Sequence, residues 1–151
     1  MDKKIIAVNR KAGRDYDIIE SFEVGMVLKG TEVKSLREGR MSLKDSYAMV
    51  QHGEMFLMNA HISPYSHGNL QNHDPLRERK LLLHKSEIKR LTGKTEERGL
   101  TLVPLKVYFF KGRVKVELAL AKGKRHHDKR ETIKRRDAER DIERELKQRQ
   151  H

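Results

Sequence analysis

Three histidines, His61, His67 and His73, recur every six residues, and Asp74 follows the last of them. Imidazole and carboxylate together are the ligands of a bound divalent metal, but the ligands must converge, as two histidines four apart on a helix do. A spacing of six fits neither a helical turn nor a tight loop, and Pro64, Gly68, Asn69 and Pro75 interrupt the segment. A surface loop without metal is expected. Phosphodiester cleavage would need paired histidines or carboxylates that gather a metal. Asp15, Asp17, Glu20, Glu23, Glu32, Asp45, Glu54 and Asp74 enter no His-Glu-x-x-His pattern, and neither Gly-x-x-x-x-Gly-Lys nor Gly-x-Ser-x-Gly occurs. Neither catalysis nor a cofactor is expected.

The chemistry the sequence does offer is cationic. Against 22 Asp and Glu stand 34 Lys and Arg, a net charge of +12 and a pI near 10.0. Such a field attracts polyanions of any kind. Arg77, Arg79 and Lys80 lie in Asp-Pro-Leu-Arg-Glu-Arg-Lys, where a phosphate contact and a solvated turn are equally open readings. The densest basic run is Lys122, Lys124, Arg125, His126, His127, Lys129 and Arg130. A solvated tail or a lipid contact would also be basic, but Gly123 and a histidine pair able to stack on a base favour nucleic acid. Aromatic residues are 5% of the chain and Trp is absent, so shape and phosphate recognition fits better than a stacking platform.

Cysteine is absent, which excludes disulfides and thiolate metal sites. The N-terminus has no apolar run of signal-peptide length, and no stretch approaches the roughly 20 apolar residues of a membrane span. A cytosolic protein without a membrane partner is expected.

The elements that must position these residues read as short strands. Tyr16 to Leu28 carries Phe22, Val24, Met26 and Leu28 at period two. Tyr47 to Gln51 and Glu54 to Ile62 flank His52-Gly53, a hairpin signal, and Lys80 to Leu83 is a short apolar run. Leu100 to Phe110 and Arg113 to Ala121 flank a second hairpin signal, Lys111-Gly112, with Val114, Val116, Leu118 and Leu120 on one face. Two short helices are expected, one capped by Thr31 and stopped by Gly39, the other capped by Ser86 and ending at Gly93. The fold class is therefore mainly β with short α-helices. About six short strands suggest a closed or nearly closed β-barrel, with an open α+β sheet as the alternative.

Composition changes near Lys122. The thirty residues 122–151 hold twelve Lys and Arg and seven Asp and Glu, with Ile133, Ile142 and Leu146 as their only large aliphatics. Residues 1–121 are read as the folded body and 122–151 as a C-terminal arm. As a helix the arm would align Arg136, Arg140, Arg144 and Lys147 in one cationic stripe, with Glu143–Lys147 and Glu145–Arg149 as favourable pairs. With nothing to pack on, such a helix is expected to order only on binding.

These residues fall into a familiar order: Asn9-Arg10-Lys11-Ala12, Gly30-Thr31-Glu32-Val33-Lys34-Ser35-Leu36-Arg37, Asp45-Ser46-Tyr47, Asp74-Pro75, Arg79-Lys80-Leu81-Leu82-Leu83, Ala121-Lys122-Gly123-Lys124 and His127-Asp128-Lys129-Arg130. Over nearly its whole length the chain resembles the SsrA-binding protein (small protein B) family of bacterial trans-translation. The resemblance implies an oligonucleotide-binding-like β-barrel that grips the tRNA-like domain of transfer-messenger RNA (tmRNA) and enters the vacant A site of a stalled ribosome. It implies no catalysis, with elongation factor Tu and alanyl-tRNA synthetase as indirect partners. Carried over, Glu32 would read the RNA elbow, with Asn9, Lys11, Lys34, Arg79, Lys80, Leu91, Lys122 and Lys124 around it. Gly123 and His127 would meet the small-subunit rRNA of the decoding centre. Asp128, Lys129, Arg130, Lys134, Arg136, Arg140 and Arg144 would lie along the mRNA channel, in a tail that becomes helical there. From the residues alone, a ribosomal protein or general RNA chaperone with a basic arm is the competing reading, and a polybasic membrane-surface protein stands third.

Overall fold

The computed structural model describes residues 3–66, 72–97 and 99–124. In chain order the elements are β1 (Lys4–Val8), α1 (Ala12–Asp15), β2 (Tyr16–Met26), α2 (Gly30–Arg37), β3 (Met41–Ser42), β4 (Tyr47–Gln51), β5 (Glu54–Met58), β6 (His61–Ile62), β7 (Arg79–Leu82), α3 (Lys85–Thr95), β8 (Leu100–Phe110) and β9 (Arg113–Gly123).

Both hairpins form where the sequence puts them. At the first turn His52 has φ 53° and Gly53 φ 77°, and at the second Lys111 has φ 52° and Gly112 φ 78°. Two consecutive positive φ values define the type I′ turn, whose twist matches the flanking strands and whose second position favours glycine. The turns fix the registers Gln51↔Glu54 and Phe110↔Arg113, so every inward residue downstream is set by them.

Antiparallel pairing then runs β8-β4-β5-β7-β2-β9 and returns from β9 to β8, closing a ring of six strands. Strand β8 is long enough to serve two neighbours on one edge: Leu102 pairs with Ala48 of β4, and residues 106–109 pair with β1. Pro104 cannot donate to the ladder and sits beside a register shift in β8, where its missing N–H costs least. Inside the ring Val114, Val116, Leu118 and Leu120 of β9 are buried, as their alternation requires, against Val24, Met26, Met55, Leu57, Leu81 and Leu102. Leu36 of α2 and Leu91 of α3 join this core. Shortening any one of these buried leucines to alanine would cost about 2–5 kcal/mol.

Four features depart from the sequence reading. Strand β1 and helix α1 were not anticipated. The stretch expected as one strand to Ile62 breaks at Asn59, which has φ 62°, and its end pairs with β3 as a separate ribbon. The helix caps shift: α2 starts behind Lys29 rather than Thr31, and α3 behind His84 rather than Ser86, running past Gly93 to Thr95. Strand β9 continues through Lys122 and Gly123, so the body ends later than residue 121.

Candidate nucleic-acid interface

Glu32 lies in the first turn of α2, where its Oε1 accepts the backbone N–H of Lys29 at 2.7 Å. A carboxylate there satisfies an otherwise orphaned helix donor and complements the helix dipole. Two arginines converge on the same group. Arg77 donates from Nη2 to Oε1 at 2.6 Å and from Nε to Oε2 at 2.9 Å, and Arg79 donates from Nε to Oε2 at 2.6 Å. Arg79 also donates to the carbonyls of Ala60 at 2.7 Å and Pro75 at 3.1 Å. Glu32 and Arg79 are fully buried, whereas the Arg77 side chain is 24% exposed. Burial raises the Glu32 pKa, but the hydrogen bonds from Arg77, the Lys29 amide and Arg79 outweigh it and hold the group below its ordinary value. Beside this cluster the buried ring of His73 donates from Nε2 to the Ile62 carbonyl, so its Nδ1 accepts the Thr31 hydroxyl at 2.9 Å. The cluster ties α2 to the segments before and after residues 67–71.

This corrects three of the expected contact residues. Glu32 cannot present its carboxylate to an RNA base, because both oxygens are enclosed and occupied. Arg79 spends its guanidinium on interior acceptors. Leu91 is a core residue with no solvent exposure. All three act on the surface only by holding it in place.

The other expected residues are accessible. Lys11, Lys34 and Lys122 are exposed, and Asn9, Lys80, Gly123 and Lys124 are partly so. Lys34 stands 5.6 Å from the centroid of the Tyr65 ring, and Lys80 pairs with Glu54 at 2.6 Å. Asn9 is pinned to β8, with its amide N–H on the Leu105 carbonyl at 2.8 Å and Nδ2 on the Pro104 carbonyl at 2.9 Å. At the end of β9, Gly123 N–H reaches the Gly99 carbonyl at 3.3 Å, Lys124 N–H the Asp15 carbonyl at 2.9 Å, and Lys124 Nζ the Gly13 carbonyl at 2.8 Å. The base of the arm is thereby anchored against α1. His127, Asp128, Lys129, Arg130, Lys134, Arg136, Arg140 and Arg144 lie outside the described residues, as do Arg125, His126 and His67.

The structure adds residues that sequence reasoning passed over. A shallow cavity of about 360 Å³ is lined by Phe22, Glu23, Val24, Leu82, Leu83, His84 and Glu87. Glu23 is exposed there and accepts the Tyr108 hydroxyl; burial and this carboxylate raise the Tyr108 pKa. Leu82 is 52% exposed, unusual for a leucine in a paired strand. A signal existed for Glu23: if Val24 and Met26 face inward at period two, Glu23 must face out. Asp15-Tyr16-Asp17 is also an Asp-x-Asp pair, but Asp15 ends α1 and Asp17 pairs opposite Lys122 in β2. Among the described residues no group of three His, Asp or Glu side chains is placed to hold a metal ion.

Fold and surface together define a basic β-ring protein whose accessible cations suit a polyanion. Comparison with known proteins narrows this class. The model of the family described as SmpB protein matches residues 6–148. The SsrA-binding protein of Syntrophobacter fumaroxidans is 64% identical over 146 residues, covering 97% of this chain and 91% of that protein. That of Geobacillus kaustophilus is 60% identical over 147 residues, covering 97% and 95%. A solved chain described as "tmRNA-SmpB: a journey to the center of the bacterial ribosome" superposes with a TM-score of 0.67 at 54% identity, covering 81% of this chain and 86% of the other. This chain belongs to the SmpB family.

Proposed function

We propose that this protein binds the tRNA-like domain of tmRNA and carries it into the A site of stalled ribosomes, so that the unfinished peptide is tagged and released. The observation that carries the reading is the family match, which spans body and arm together, with relatives of the same name aligned over nearly their whole length. The work is binding and positioning, with no chemical step catalysed by the chain and no cofactor, and it takes place in the cytoplasm. The ring acts as an oligonucleotide-binding-like barrel: exposed lysines, Lys11, Lys34 and Lys122 among them, hold phosphates, and this electrostatic part is sequence-independent. Specificity needs an acceptor that can reach base edges, and the exposed Glu23 beside Leu82 meets that requirement where the enclosed Glu32 does not.

The arm has the second task. Gly123 and His127 engage the decoding centre, His127 by stacking on a base, and residues 128–151 follow the mRNA channel with Lys129, Arg130, Lys134, Arg136, Arg140 and Arg144 against phosphate. Elongation factor Tu and alanyl-tRNA synthetase act on the RNA that the body holds. The test is a reconstituted translation reaction on an mRNA without a stop codon, supplied with tmRNA. The full chain should support tagging. A chain ended after Lys124, which keeps β9 and its anchors, should bind tmRNA but tag nothing. Full tagging by the shortened chain would refute the division between body and arm.

A further inference from the structure

A cavity of about 480 Å³ opens between the end of β1, α1 and the turn that follows β3, on the side where the arm leaves the body. Its size falls in the ~300–1,000 Å³ range of small-ligand pockets. Ala7, Ala12 and Leu43 are buried beneath it, and Tyr16, half-buried, contributes an aromatic ring to its wall. Arg10, Lys11 and Lys44 are exposed at its rim, and none of them is in an ion pair with the described carboxylates.

The walls are fixed before any ligand arrives. Asn9 is held at its backbone and at Nδ2 by β8, which leaves its amide oxygen and second N–H for another partner. The opposite wall is a tight turn in which Ser46 Oγ donates to the Leu43 carbonyl at 2.6 Å, with Asp45 held at φ 60°. Asp15 and Asp45 also line the cavity, as acceptors for amino or hydroxyl groups.

We infer that this cavity takes one unpaired purine nucleotide of a bound RNA, an assignment that rests on the RNA-binding function proposed above. The ring of Tyr16 offers a stacking face, the Asn9 amide offers a paired donor and acceptor of the kind that matches a purine edge, and the three rim cations meet the flanking phosphates. A lipid surface would use the cations but neither the aromatic wall nor the pinned amide. Lys124 fastens the root of the arm to α1 beside the cavity, so an RNA strand following the arm passes its mouth.

The test uses the full chain and two short RNA hairpins, identical except that one carries a single bulged 2-aminopurine and the other a fluorescent end label. The bulged hairpin should bind about tenfold more tightly, as stacking of one base allows, with quenching of its fluorescence. Asn9→Ala and Tyr16→Leu should remove that preference. Lys44→Ala alters only an exposed rim residue and should weaken the bulged hairpin several-fold more than the plain one, which keeps the test valid if Tyr16→Leu unfolds. Equal affinity for the two hairpins would overturn the inference. Saturation of the cavity by micromolar adenosine monophosphate, without any preference between hairpins, would make it a site for free nucleotides and overturn it as well. Affinity for the tRNA-like domain of tmRNA, measured on the same preparations, separates the outcomes. A protein that selects that domain but ignores the bulge refutes only the cavity assignment.

Discussion

Glu32→Ala is the most informative single change, because two accounts of the residue predict different things. If Glu32 read the RNA directly, its loss would weaken binding and leave the fold as stable as before. The structure predicts the reverse order of effects. Alanine removes the acceptor of two hydrogen bonds from Arg77, one from Arg79 and one from the Lys29 amide. Arg77 reaches solvent and can hydrate, but Arg79 is fully buried and would be left charged without a counter-ion. Removing one partner of a buried ion pair costs about 3–5 kcal/mol, out of a total stability of about 5–15 kcal/mol for a domain. Thermal unfolding followed by circular dichroism should therefore show a Tm lower by roughly 10 °C or more. RNA affinity should fall in step with the folded fraction. Replacing both buried partners, Glu32→Leu with Arg79→Met, should recover much of the loss. A Tm within about 2 °C of the parent for Glu32→Ala would refute this reasoning and return Glu32 to a surface role.

Three further outcomes follow from the same structure. Glu23→Ala should weaken binding to the tRNA-like domain about tenfold, as a lost base contact does, with a stability change of only ~1 kcal/mol from the Tyr108 hydroxyl; unchanged affinity would remove Glu23 from the interface. Because the folded-state pKa of Glu32 lies below its ordinary 4.5, its stabilisation is present above that pH and fades as pH falls through the folded value; an acid titration of Glu32→Ala should thus lack part of the parent's loss of stability below about pH 4.5. Gly112→Val places a β-branched residue at φ 78° and should cost about 1–3 kcal/mol, seen as a lower midpoint in urea unfolding.

The sequence revealed those parts of the fold whose causes are local. Each hairpin announces itself by a glycine in a two-residue gap between alternating strands, and β9 shows its inward face outright. Strand β1 was hidden because only Ala7 of its five residues is buried, leaving no period to see. Closure of the ring could be suggested by strand count alone, since pairings such as Ala48↔Leu102 join residues far apart in sequence. The same holds for the site. Lys11, Lys34 and Lys122 are exposed as a basic surface demands, but the enclosure of Glu32 depends on Arg77 and Arg79, 45 and 47 residues further on. A motif can mark Glu32 as constrained without saying whether the constraint is contact with RNA or support of the surface that makes contact.

The proposal that this protein selects one folded RNA is tested most directly by competition binding at physiological salt. The full chain is given the labelled tRNA-like domain of tmRNA against an unlabelled duplex of equal length and random sequence. Selective recognition predicts that the duplex competes at least ~100-fold less well than the unlabelled domain itself, with both affinities falling as salt rises. Displacement by the duplex at the same concentration as the domain would mean that a cationic surface alone accounts for binding.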